Sequence, residues 1–239
     1  MITSGVVVAR GLWWRGAVVG SATVSATRLP LFPLGTVLFP GRLLPLHIFE
    51  ERYRQLVRDL LVGPHESRAF GVVAIREGRE VGADSIRALH RVGCVALLRG
   101  IEPYDDGRFD VATSGSQRFR LLAVDDSRPY LQGDVEMLGE PDGESGTGLA
   151  ARVAAAYADY REALGVADDE PTDDARALSY AVAAGTVLDL TDRQRLLEAP
   201  DTAARLRAEL AMLRREKTLL GLLPSLPAVE LTRVPASPN

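Results

Sequence analysis

One cysteine, one lysine and three histidines restrict the chemistry open to this 239-residue chain. A phosphate-binding loop needs a lysine directly after glycine to reach the phosphates, whereas the only lysine, Lys217, follows Arg214-Arg215-Glu216. The same lysine would have to serve any Schiff-base or serine–lysine mechanism, and a charged run at helical spacing is first of all a solvated face. The lone Cys94 excludes an internal disulfide and any C-x-x-C zinc or redox motif. Flanked by Val92 and Val95, it reads as a small buried side chain in a reducing, cytoplasmic setting. His47, His65 and His90 are too far apart for a local metal pair and no H-E-x-x-H occurs; His47, inside an apolar run, reads as a histidine bonded to backbone. Gly146-Thr-Gly148-Leu-Ala-Ala151 spells G-x-G-x-x-A, but it follows Glu-Pro-Asp-Gly-Glu-Ser where a dinucleotide site needs an apolar strand. No G-x-S-x-G elbow is present, and Ser114 and Ser116 are assigned to a hairpin connection. The acidic stretch Asp168-Asp169-Glu170 with Asp173-Asp174 lacks the glycine and terminal glutamate of an EF-hand and reads as a linker. No catalytic, cofactor or metal residue is expected.

What remains is apolar. The run Leu31 to Phe49 is crowded with Phe32, Leu34, Val37, Leu38, Phe39, Leu43, Leu44, Leu46, Ile48 and Phe49, more than one short segment buries easily. Part of it is expected at the surface, where an apolar patch rimmed by charge holds unfolded chains because desolvation supplies affinity without demanding a sequence. The reading that weighs more is that most of these side chains fill the barrel and its contact with the helix at 49–61. Composition sets the frame: a net charge of −4 with 46% hydrophobic and 25% charged residues describes an ordinary globular chain. Residues 1–140 sum to +1 and residues 141–239 to −5, so neither part carries the clustered cations on which duplex binding rests. No stretch reaches the roughly 18–20 uninterrupted apolar residues of a membrane span.

Patterning divides the chain. Residues 1–28 are expected to form a disordered leader, since Arg10 and Arg15 break any signal-peptide core and coherent patterning begins at Leu29; the Trp13-Trp14 pair is its one anchor-like feature. Prolines 30, 33, 40 and 45 forbid a long central strand but leave short ones. Phe49, Tyr53, Leu56 and Leu60, with charges between them, predict an amphipathic helix ended by Gly63-Pro64. Strands are then predicted at 70–75, 91–101, 108–113, 119–124 and 131–137, with Asp106-Gly107 as a hairpin turn. After a flexible connection over 139–148 every element reads as helical. Leu149, Val153, Ala156, Tyr160 and Leu164 form one stripe, and 175–188 is a second helix. A capping box, Thr191 to Gln194, opens a third. Pro200-Asp201 starts a fourth, with Leu206, Leu210 and Leu213 inside and Arg205, Arg207, Glu209, Arg214 and Arg215 on the wet face. The boundaries are a β-rich part at 29–140, a helical part at 148–223 and a flexible tail at 224–239.

The opening LPLFPLGTVLFPGRLLPLHIFEERY resembles the amino-terminal, substrate-binding domain of Lon proteases in a stand-alone form. Phe70-Gly-Val-Val-Ala-Ile-Arg-Glu-Gly, Val92-Gly93, Gly115-Ser-Gln-Arg-Phe-Arg-Leu121 and Leu188-Asp-Leu-Thr-Asp-Arg-Gln-Arg-Leu-Leu-Glu198 are similar to the family's later segments in its order, from about Leu29 to Leu223. The resemblance implies an α+β fold: a PUA-like β pseudo-barrel with one inserted helix, then a helical bundle. It implies no ATPase or protease module, and a non-enzymatic protein-quality-control module that recognises unfolded or partly folded polypeptides, as an adaptor for a separate protease or chaperone. Candidate polypeptide-binding residues are Phe32, Leu34, Phe39, Phe49 and Tyr53. The alternative is RNA binding through the barrel by Arg91, Arg99, Arg118 and Arg120, which their dispersion and the acidic chain disfavour.

Overall fold

The computed structural model describes residues 27–64, 68–78, 86–144, 146–166 and 172–222. The chain runs β1 (Thr27–Leu34), β2 (Leu43–Ile48), α1 (Glu51–Val62), β3 (Ala69–Gly78), β4 (Ile86–Leu89), β5 (Val92–Pro103), β6 (Phe109–Asp125) and β7 (Gln132–Met137). It continues with α2 (Leu149–Ala163), α3 (Ala175–Gly185), α4 (Leu190–Glu198) and α5 (Thr202–Leu222). The fold is α+β: among the described residues, seven strands with α1 between the second and third, followed by a helical half. The strands lie in the order β1-β7-β6-β5-β3-β4, and β1 also pairs with β3, so five of them close into a ring. All pairings are antiparallel except β1 with β3.

The prolines explain how β1 is used. Its first half pairs with β7 and its second half with β3. The Leu31 N–H goes to the Leu131 carbonyl at 2.8 Å, so Leu31 and Pro33, two apart, share the side facing away from β3, where a missing N–H costs no ladder bond. Thr27 and Arg28, expected in a disordered leader, begin this strand; residues 1–26, with Trp13-Trp14, lie outside the described residues, as do His65, Asp168 to Pro171 and the tail from 223.

Two further expectations are corrected. Ser114 and Ser116 lie in the middle of β6, a single strand of 17 residues that absorbs both predicted segments. Gly115 keeps the strand continuous there because its missing Cβ lets the Phe39 carbonyl come close, and it exchanges backbone bonds with Gly41 and Arg42. In α5, Arg205 and Glu209 are fully buried instead of wet. Arg205 lies 4.0 Å from the Tyr180 ring and donates to the Leu196 carbonyl and the Ser179 hydroxyl, because α3 and α4 both pack on this side of α5.

The helix starts follow acids. Asp174 accepts from the Arg176 and Ala177 amides, and Asp201 from the Ala204 amide. The predicted box at Thr191 is displaced: Asp189 is the cap, accepting from Asp192 at 2.8 Å. This frees Gln194 to bridge to the Val92 carbonyl of β5 and to Glu198. Leu164 lies past the end of α2 and is exposed. The connection after β7 is anchored at its start, since the Pro141 and Asp142 carbonyls accept from Thr202 and Ala203.

Candidate functional site

Strand β2 alternates. Leu44, Leu46 and Ile48 point towards the core around α1, while Leu43, Pro45 and His47 point outward, and Leu43 is 78% exposed. The strand pairs only with β6, and Pro45 again marks which positions face the free edge. Across the sheet the register sets three residues in line, Pro45 beside Ala112 and Ala112 beside Gly100, and next to them a second line, His47, Asp110 and Glu102. The first line is built from small side chains. A Cβ added at Gly100 would meet only the Ala112 methyl at 3.8 Å. These residues form the floor of a trough of about 630 Å³ crossing β2, β6 and β5, with Leu46 and Ile101 at its edges.

The second line is locked by polar bonds. His47 Nδ1 lies 2.6 Å from Asp110 Oδ1, the Tyr104 hydroxyl donates to Asp110 Oδ2 at 2.6 Å, and Arg108 lies 3.2 Å from His47 Nε2. The hydrogen bonds from Tyr104 and then His47 hold the Asp110 carboxyl below its usual range, and the same carboxylate pushes the Tyr104 phenol up. The hairpin carrying Tyr104 and Arg108 turns on Gly107, whose φ of 82° suits glycine, and Arg54 of α1 fastens it by donating to the Gly107 and Asp106 carbonyls. His47 is thus a half-exposed partner of a side-chain carboxylate and not the backbone-bonded histidine expected of an apolar run; the outward phase of β2 is the reason. One ring nitrogen of His47 is on Asp110 and the other against Arg108, which fixes the imidazole in the wall of the trough. Among the described residues no group of three or more His, Cys, Asp or Glu side chains is arranged to hold a metal ion.

A second pocket, about 220 Å³, lies on the other side of β2, towards the end of β1. Phe32, Leu34, Phe49 and Tyr53 all line it. The structure therefore brings four of the five proposed polypeptide-binding residues together. Phe32 and Tyr53 stack at 4.1 Å as its buried back wall, Leu34 is buried beside them, and Phe49, 51% exposed, is the accessible member. Phe49 precedes α1 instead of opening its stripe, whose buried residues are Tyr53, Leu56, Val57 and Leu60. Phe39 is elsewhere, buried against Tyr180 and under Arg193 where the helical half meets the barrel.

Of the four arginines of the RNA reading, three are exposed and one is buried. Arg91 is exposed, Arg99 donates to the Ser114 hydroxyl and Arg120 pairs with Glu136, while Arg118 is 2% exposed and bonded into the helical half. The sequence reading did not single out Gly100, Ala112 or Tyr104. Their signal was register: the Asp106-Gly107 turn fixes which β5 and β6 residues lie opposite each other, and therefore which small residues line up.

A family model, the ATP-dependent protease La (LON) substrate-binding domain, matches residues 28–215. This chain belongs to the LON substrate-binding domain family. Among curated relatives, it is 30% identical over 211 residues to Lon protease 2 of Sorangium cellulosum and 28% identical over 211 residues to Lon protease 2 of Herpetosiphon aurantiacus. These alignments cover 82% and 84% of this chain but 25% of each relative, so the chain spans about a quarter of the length of the proteases it matches. Solved LON domains share the fold. A Lon N-terminal domain protein from Xanthomonas campestris superposes with a TM-score of 0.58 at 26% identity, covering 77% of this chain and 98% of that one. The N-terminal domain of a Mycobacterium avium complex Lon protease gives 0.57 at 19% identity, covering 79% and 98%. No helix among the described residues is long and apolar enough to cross a membrane.

Proposed function

We propose that this chain is a non-enzymatic, cytoplasmic module that recognises unfolded or partly folded polypeptides and presents them to a separate protease or chaperone. The family match to a substrate-binding domain supports recognition as the task. The observation that carries the reading for this chain is the pair of concavities flanking β2. An apolar ridge with Leu43 and Phe49 exposed runs between a trough floored by Gly100 and Ala112 and a pocket backed by Phe32, Leu34 and Tyr53. Such a surface binds through desolvation of apolar side chains and asks little of their order, which suits clients recognised because they are unfolded. Phe39 acts in this reading through the barrel–helix contact and not by touching a client.

The test is anisotropy of a labelled, permanently unfolded polypeptide titrated with the full chain. Gly100→Val puts an isopropyl group on the trough floor, at a position where an added Cβ meets only the Ala112 methyl at 3.8 Å, and Phe49→Ser removes the exposed ring. Each is expected to weaken binding about tenfold, equivalent to about 1.4 kcal/mol, with the thermal melt unchanged. Wild-type affinity in both variants would overturn the assignment of the surface. A single-stranded RNA run beside it, bound more weakly at higher salt while the polypeptide is not bound at all, would transfer the function to Arg91, Arg99 and Arg120.

A further inference from the structure

The helical half has a site of its own. The Pro141 and Asp142 carbonyls tie the start of α5 to the segment leading into α2, and near the other end Lys217 of α5 pairs with Asp159 of α2 at 2.6 Å, so the two helices run side by side in the same direction. Between them lies a groove of about 330 Å³ floored by Ala155, Ala156 and Leu210. Its rim is cationic: Arg152, Arg214 and Lys217 against the single carboxylate of Asp159. The guanidinium groups of Arg152 and Arg214 make no hydrogen bond or ion pair with any described residue, whereas those of most described arginines do. The local charge of +2 stands on a part of the chain that sums to −5.

We propose that this groove docks an acidic amphipathic helix of a partner protein. The alanines of α2 leave room for one or two apolar side chains of the incoming helix. Arg152 and Asp159 are seven residues apart on α2, about 10.5 Å at 1.5 Å per residue. Carboxylates two turns apart on the partner therefore reach Arg152 at one end and the Arg214 and Lys217 pair at the other, and arginine forks bind carboxylates by two parallel hydrogen bonds. The site is independent of the barrel surface, so a client and a partner can be held together.

The experiment titrates the full chain into a labelled 16-residue helical peptide of leucine, alanine and glutamate, its glutamates spaced two turns apart along one edge. The same peptide with lysine for glutamate and a single-stranded oligonucleotide serve as comparison ligands. The glutamate peptide is expected to bind, more weakly at high salt, and the lysine peptide is not. The double variant Arg152→Glu/Arg214→Glu, at two exposed positions whose side chains make no hydrogen bond or ion pair with any described residue, is expected to lose at least tenfold in affinity for the glutamate peptide while keeping its melting temperature and its binding of unfolded polypeptide. Equal binding of both peptides, an unchanged affinity in the double variant, or preference for the oligonucleotide would each overturn the proposal.

Discussion

Removing the Arg118 guanidinium is predicted to be among the most damaging single changes in this protein, although it touches no proposed binding surface. Arg118 stands on β6, yet its donors are spent on the helical half and the connection to it. Nε reaches Glu140 Oε1 at 2.6 Å, Nη1 reaches the Leu197 and Ala199 carbonyls at 2.7 Å each, and Nη2 reaches Gly139 at 3.3 Å. The two 2.7 Å bonds satisfy carbonyls at the end of α4 that have no partner within the helix. In Arg118→Met these carbonyls are orphaned and Glu140 keeps only the Tyr180 hydroxyl at 2.7 Å and Arg205 at 3.7 Å. Breaking one side of a buried pair costs about 3–5 kcal/mol; the partners left to Glu140 place this case at the lower end, about 3 kcal/mol. For a chain of this size that is a fall of roughly 6–12 °C in Tm. Urea unfolding followed by far-UV circular dichroism measures it. Arg118→Met/Glu140→Leu, which removes both charges, is expected to recover part of the loss. A loss below about 1 kcal/mol in the single variant, or no recovery in the double, refutes the reasoning that this pair locks barrel to helices.

Three further outcomes are expected. Glu209 is buried with both carboxylate oxygens unbonded, and burial pushes its carboxyl well above the ordinary range despite the nearby Arg205. The folded state therefore keeps a proton that the unfolded state releases, and this residue's contribution to stability falls as pH rises from its unfolded pKa towards the folded one, at up to about 1.4 kcal/mol per pH unit. Urea midpoints across pH 4.5–8 should show that slope flattened in Glu209→Gln, and parallel curves for the two proteins would contradict it. Burial pushes the Cys94 thiol up to about 12, so a thiol reagent at pH 8 should label it only in denaturant; prompt labelling of the native protein would refute its burial. Gly93 and Gly100 both lie in β5 but differ in surroundings: a Cβ at Gly93 would sit 2.5 Å from the Val72 carbonyl oxygen, and one at Gly100 would meet only the Ala112 methyl at an ordinary contact distance of 3.8 Å. Gly93→Ala is expected to cost about 1–3 kcal/mol in a thermal melt and Gly100→Ala none, and equal melts would contradict the packing described.

Local pattern made most of the architecture readable. Tyr53, Leu56 and Leu60 announced α1, Asp106-Gly107 announced the hairpin, and Leu206, Leu210 and Leu213 announced the inner face of α5, because each depends on neighbours close in sequence. What escaped depends on long-range contacts. Arg205 and Glu209 look solvated by period alone, and only the arrival of α4 and Tyr180 on that face buries them. Arg118 sits at an outward strand position that in an isolated barrel would be wet; the helical half covers it. The candidate surface was half legible. Excess apolar residues between Leu31 and Phe49 pointed to the right stretch, but which of them face outward is set by the pairing of β2 with β6, and the trough floor comes from Ala112 and Gly100, whose types carry no signal until the register places them together.

The central claim is that β2 and its flanking concavities contact the client. It is tested most directly by recording amide and methyl NMR shifts of the full chain while a permanently unfolded polypeptide is added. The largest changes are expected on Leu43 to Phe49, on Gly100 to Tyr104 and on Asp110 to Ala112, and in Gly100→Val the same changes should need about ten times as much polypeptide. Changes concentrated in α2 to α5, or spread evenly over the barrel, would contradict it.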